Sequence, residues 1–67
     1  MHVETRIISG ILSWDQENKY FLETLMENRY FLVLPQIITL TQTDEKLATD
    51  ELNESHKGKS AIARCFV

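Results

Sequence analysis

Cys65 and His56 are the first residues to weigh for chemistry, because a thiol and an imidazole brought together make a nucleophile and its base. A reactive thiolate needs an electropositive, partly exposed setting. Cys65 instead lies within the terminal run Ser60-Ala61-Ile62-Ala63-Arg64-Cys65-Phe66-Val67, which points to burial as a small hydrophobe. Glu23 and Glu27 offer two carboxylates for acid and base work, but nothing in the pattern around them marks a pocket. Asp44, Glu45, Asp50, Glu51 and Glu54 stand against Lys46 alone, yet they lack the Asp-x-Asp-x-Asp-Gly spacing of a calcium loop. A solvated acidic face is the expectation there. His2 and His56 are the only imidazoles, and no Cys-x-x-Cys spacing exists for zinc. Gly10 and Gly58 stand too far apart to cradle a phosphate. The chain is therefore expected to hold no catalytic constellation, metal or cofactor, and not to be an enzyme.

Six aromatic residues carry the remaining chemistry: Trp14, Tyr20, Phe21, Tyr30, Phe31 and Phe66. On a small sheet, exposed rings of this kind stack bases, with Lys19, Arg29, Lys57, Lys59 and Arg64 to supply charge. The net charge of −3 works against a counterion-driven grip on nucleic acid. Core and protein-interface roles are favoured instead, and Trp14, Tyr20, Phe21, Tyr30 and Phe31 are the expected contact residues.

Positioning these residues falls to a short chain. At 67 residues, one domain spanning 1–67 is expected. A chain of this size hides only roughly 60% of its unfolded surface, and ordering it costs on the order of 100 kcal/mol in conformational entropy. Small domains offset that with disulfides, metals or association. A lone cysteine and the absence of a ligand set leave association, so a homo-oligomer or another protein partner is expected. Apolar residues at 43% and charged ones at 25% suit a globular domain. No long apolar run and no secretory start at Met1-His2-Val3-Glu4 is present, from which we expect a cytoplasmic protein without a membrane partner. Asn53-Glu54-Ser55 matches a glycosylation sequon, discounted for want of an export signal.

Residues 3 to 14 read as the first strand, with Val3, Thr5 and Ile7 alternating with Glu4 and Arg6. The alternation slips at Gly10, which predicts a bulge or bend. Asp15-Gln16-Glu17-Asn18 supplies turn formers. Residues 14 to 28 admit two readings. As a hairpin, Tyr20–Leu25 and Arg29–Leu34 pair through Met26-Glu27-Asn28, and the repeated Tyr-Phe-Leu matches aromatics across the strands. As a helix, Ser13 and Gln16 form a capping box, and Trp14, Phe21, Leu22, Leu25 and Met26 share a face spanning about 140°. The hairpin is preferred, because Tyr, Phe and Thr are weak helix formers. Residues 29 to 34 are apolar on both parities, which places that strand at the centre of the domain or against a second subunit.

Pro35 interrupts the chain before Ile37-Ile38-Thr39-Leu40-Thr41 resumes an extended pattern. Thr43 to Ser55 predicts one short helix or a polar loop, anchored by Leu47, Ala48 and Leu52 and capped by Thr43 or Asp44. Lys57-Gly58-Lys59 reads as a turn, and Ser60 to Val67 as a last strand that must be paired or covered.

The order of these elements resembles a small SH3-like or OB-like barrel. Ser9-Gly10-Ile11-Leu12 matches the bent first strand, Asn28 the hairpin, and Lys57-Gly58-Lys59 the entry to the final strand. The expected fold is thus mainly β, a partly open barrel of 4–5 strands with one short helix or polar loop at 43–55. The alternative is an α+β domain with an amphipathic helix at 14–28 packed on an antiparallel sheet. An incomplete barrel needs a partner to close it. The expected function is a non-catalytic protein-interaction module that self-associates through strand 29–34 and its aromatics. Two alternatives are a single-stranded nucleic-acid binder and a small acidic inhibitor that docks 43–55 on a basic surface.

Overall fold

A computed structural model describes residues 4–67. Its strands are β1 (Thr5–Trp14), β2 (Tyr20–Glu23), β3 (Arg29–Phe31), β4 (Ile37–Leu40), β5 (Lys46–Ala48) and β6 (Ser60–Phe66). They form one antiparallel sheet in the order β3-β2-β1-β6-β4-β5, and no α-helix occurs among the described residues. The domain is mainly β, as its β-branched composition predicts. The first strand begins at Thr5, and the expected start at Val3 lies outside the described residues.

The helix over 14–28 is overturned. Two tight hairpins occupy that stretch, and both use the same turn. Asp15 and Lys19 close the first, Asn18 N–H donates to Asp15 C=O, and Asn18 takes φ 60°. Thr24 and Asn28 close the second, Glu27 N–H donates to Thr24 C=O, and Glu27 takes φ 63°. A three-residue loop with its last residue in the left-handed region suits the twist of paired strands. Asp15 Oδ1 also accepts from the Glu17 and Lys19 N–H groups, a local alternative to a helical turn. The second turn is Leu25-Met26-Glu27, one residue earlier than expected.

Where a partly open barrel was expected, the six strands form one sheet that is not closed into a barrel. Leu32, just past β3, makes a single bridge to Cys65, and Val33 N–H donates to Arg64 C=O at 3.5 Å. These contacts curl the sheet without a ladder to close it. Six strands replace the expected four or five because the polar segment 43–55 contributes β5, where Lys46, Leu47 and Ala48 pair with Thr39, Ile38 and Ile37. Leu47 and Ala48 therefore anchor a strand and not a helix. Two 3-10 turns follow, Thr49–Glu51 and Glu54–His56, the second capped by Asn53 and not by Thr43 or Asp44. β3 is also shorter than 29–34 and lies at the sheet margin, not at its centre.

β6 takes the centre, between β1 and β4, which shields the most apolar terminal strand from an open edge. Its alternation sorts by size as it pairs. Ala61, Ala63 and Cys65 are buried, while Ile62, Arg64 and Phe66 face out. The small inward residues let Leu12, Leu22, Leu32, Ile38, Leu40 and Leu47 close over them as one core. Gly58, at φ 88°, donates to Leu12 C=O while Leu12 N–H donates to Lys59 C=O. Two residues thus oppose one, the glycine bulge that starts β6 where a plain turn was expected. No bulge occurs at Gly10, where the register with β6 runs unbroken.

Candidate functional site

Register decides which aromatics can meet a partner. Tyr20 pairs with Trp14, and Tyr30 with Leu22, so the tyrosines and the tryptophan lie half-buried against the core. Trp14 and Tyr20 meet edge to face at 5.4 Å between ring centres. Ser13, Phe21 and Phe31 form the adjacent row on the opposite face of the sheet. Phe21 and Phe31 also meet edge to face, at 5.6 Å, but Phe21 is 97% shielded while Phe31 remains 42% exposed. Of the five expected contact residues, Phe31 alone is an exposed large hydrophobic side chain.

The cations near these rings are already engaged. Arg29 lies 4.8 Å above the Phe21 ring and its Nε donates to Glu23 Oε1 at 3.3 Å. Lys57 lies 5.2 Å from the Trp14 ring. These arrangements cover aromatic faces with charge and leave them less free for a stacked base.

Two residues outside the five expected contact residues extend the surface around Phe31. Leu34 is 51% exposed just before the cis Leu34-Pro35 peptide, and Phe66 is 41% exposed. With Tyr20 and Leu32 they line a shallow groove of about 350 Å³. The outward parity of Phe66 in the terminal strand was a legible signal, whereas its nearness to Phe31 depends on the curl of the sheet.

The catalytic candidates do not assemble. Cys65 is fully buried, its Sγ donates weakly to Ala63 C=O, and burial pushes the thiol up to about 11. His56 Nδ1 accepts from Asn53 N–H and serves the cap of a 3-10 turn. Glu23 is committed to Arg29, and Glu27 occupies the left-handed turn position. Among the described residues, no three His, Cys, Asp or Glu side chains gather as a metal site. The acidic residues of 43–55 are all exposed, and no described ion pair involves them. No helix among the described residues is long and apolar enough to cross a membrane.

No protein-family model, curated protein or solved structure matches the chain. What fold and surface define together is a mainly β domain with a single open antiparallel sheet. Its half-exposed apolar patch centres on Phe31, Leu34 and Phe66.

Proposed function

We propose that this chain is a non-catalytic protein-interaction module that binds a second copy of itself through the stretch 29–34. Phe31 and Leu34 form the contact beside Phe66. The observation that carries this reading is the exposure of those three large side chains around one groove. Apolar surface gathered in one place marks an interaction site more than scattered residues do. The small core gives a second support, since association stabilises a domain with no disulfide. Sedimentation velocity across micromolar concentrations tests it. The expected result is concentration-dependent association that Leu34→Lys weakens. A well-folded monomer at every concentration would overturn the reading.

A second reading has its own observation: five exposed carboxylates, Asp44 to Glu54, without described ion pairs, would suit docking on a basic partner surface. Neutralising Asp44, Glu45, Asp50 and Glu51 together with no loss of partner binding would remove it. Single-stranded nucleic acid ranks below both, because Arg29 and Lys57 already sit on the protein's own rings.

A further inference from the structure

β1 is ten residues long, but its two edges are used unequally. Thr5 to Ile11 pairs with β6 on one side, whereas only Ile11 to Trp14 pairs with β2 on the other. On the β2 side, Thr5 to Gly10 faces no strand among the described residues. Backbone parity says which groups are left open. Leu12 N–H donates to Lys59 and Glu4 C=O accepts from Val67 N–H, so even-numbered residues point towards β6. Asp15 N–H donates to Lys19 C=O on the β2 side, which fits odd residues pointing the other way. Thr5, Ile7 and Ser9 therefore present three N–H and three C=O groups along an unpaired edge.

Proteins usually blunt such edges with proline, lysine, a bulge or shortness. The marginal β5 follows that habit, being three residues long and starting at Lys46. The edge at Thr5 to Ser9 contains no proline, no lysine and no bulge. Arg6, its one charge, has even parity and points its backbone groups towards β6. On the outer face Ile7 is 61% exposed, and near Ser9 the hairpin tip leaves Leu25 fully exposed. Ser9, Ile11 and Leu25 line one groove of about 710 Å³ where β2 diverges from β1.

We propose that this edge binds the same edge of a second copy, β1 against β1 in antiparallel register, with Ile7 on the twofold axis. Self-complementarity singles out that occupant. The open positions read hydroxyl, isoleucine, hydroxyl in both directions, so reversal about Ile7 sets Thr5 against Ser9, Ile7 against Ile7 and Ser9 against Thr5. A twofold contact demands a patch complementary to itself. This register satisfies all three open N–H groups of each copy and pairs like side chains across the strands. Shifting the axis to Ser9 would set Thr5 against Ser13 and Ile7 against Ile11, both already paired with β2. Shifting it to Thr5 would set Ile7 and Ser9 against residues 3 and 1, which lie outside the described residues. With the axis at Ile7 the two Arg6 side chains are diagonal and exposed, where repulsion is weak. The two copies then share one continuous sheet, and Leu25 covers the strand that enters past Ser9.

This contact does not rest on the Phe31 patch, and cysteine cross-linking of the full chain reads it separately. In a Cys65→Ala background, Ile7→Cys places two thiols on residues about 5.5 Å apart at Cα, within the range of a disulfide. Mild oxidation is expected to give a covalent dimer of Ile7→Cys. Ser9→Cys alone is expected to stay monomeric, because its copies lie about 14 Å apart in that register. Thr5→Cys mixed with Ser9→Cys is expected to cross-link. Ile7 is largely exposed, so the substitution leaves the core intact, as circular dichroism would verify. Adding Leu34→Lys is expected to leave the Ile7→Cys cross-link unchanged. No cross-link at position 7, or an equal yield from Ser9→Cys alone, would overturn the proposal. So would amide exchange at Thr5, Ile7 and Ser9 that proceeds at free-chain rates at every concentration.

Discussion

A β-carbon on Gly10 would stand 2.9 Å from the carbonyl oxygen of Glu23 and 3.2 Å from Leu22 Cβ. At this point β1 gains β2 on its second edge while keeping β6 on the first, and the end of β2 lies close against its backbone. The oxygen belongs to the main chain and is held by the Ile11–Glu23 pair, so it cannot swing aside as a side chain would. Gly10→Ala is therefore expected to cost about 1–3 kcal/mol by overpacking. Urea unfolding followed by Trp14 fluorescence would measure it. An unchanged midpoint would show that β2 has room to retreat.

Gly58 gives the contrasting case. A β-carbon there meets nothing within 4 Å, but the residue holds φ 88°. Gly58→Ala should cost about 1–2 kcal/mol through backbone strain alone. Gly58→Asn should recover part of that, since asparagine tolerates positive φ. At position 10, where space is the constraint, asparagine should be worse than alanine. The two rank orders, read by thermal unfolding, separate strain from collision.

Burial raises the Cys65 thiol from 9.0 to about 11. An acid whose folded-state pKa is raised keeps its proton in the fold after the unfolded chain has lost it. Its contribution to stability is therefore complete below pH 9 and is lost as pH rises towards 11. The shift corresponds to about 2–3 kcal/mol across that window. Cys65→Ala should flatten this part of the stability profile. The native thiol should also react slowly with a disulfide reagent at neutral pH, and fast labelling would contradict its burial.

The two proposed contacts lie on different strands and are expected to be separable. Leu34→Lys and Ile7→Lys should each lower the mass observed at micromolar concentration, and the double variant should be monomeric. Both positions are more than half exposed, so each single variant should stay within about 0.5 kcal/mol of the parent in monomer stability. Equilibrium sedimentation beside urea unfolding provides both readings. A double variant that still dimerises would place the contact elsewhere.

Much of the fold was legible from local pattern. β-branched alternation announced β1, the apolar run after Lys57-Gly58-Lys59 announced β6, and Asp15-Gln16-Glu17-Asn18 marked the first hairpin turn. These features depend on neighbours within a few residues, where periodicity and steric preference act directly. The candidate site was less legible. Five aromatics were expected at a contact, yet the structure leaves Phe31 open, shields Phe21 beneath Arg29, and turns Trp14, Tyr20 and Tyr30 towards the core.

Composition and pattern by themselves determined that the chain makes a β-rich domain whose lone cysteine lies buried in an apolar strand. Only the tertiary structure decided between helix and hairpins at 14–28, because a stretch that is amphipathic at both periods is settled by pairing with β1. It also decided that β6 lies at the centre and that Thr5 to Ser9 lies at an edge. Those positions depend on which strands meet across sequence separations as large as 61, from Thr5 to Phe66. Long-range pairing is selected by the packing of the whole sheet, and no local run of residues carries that information.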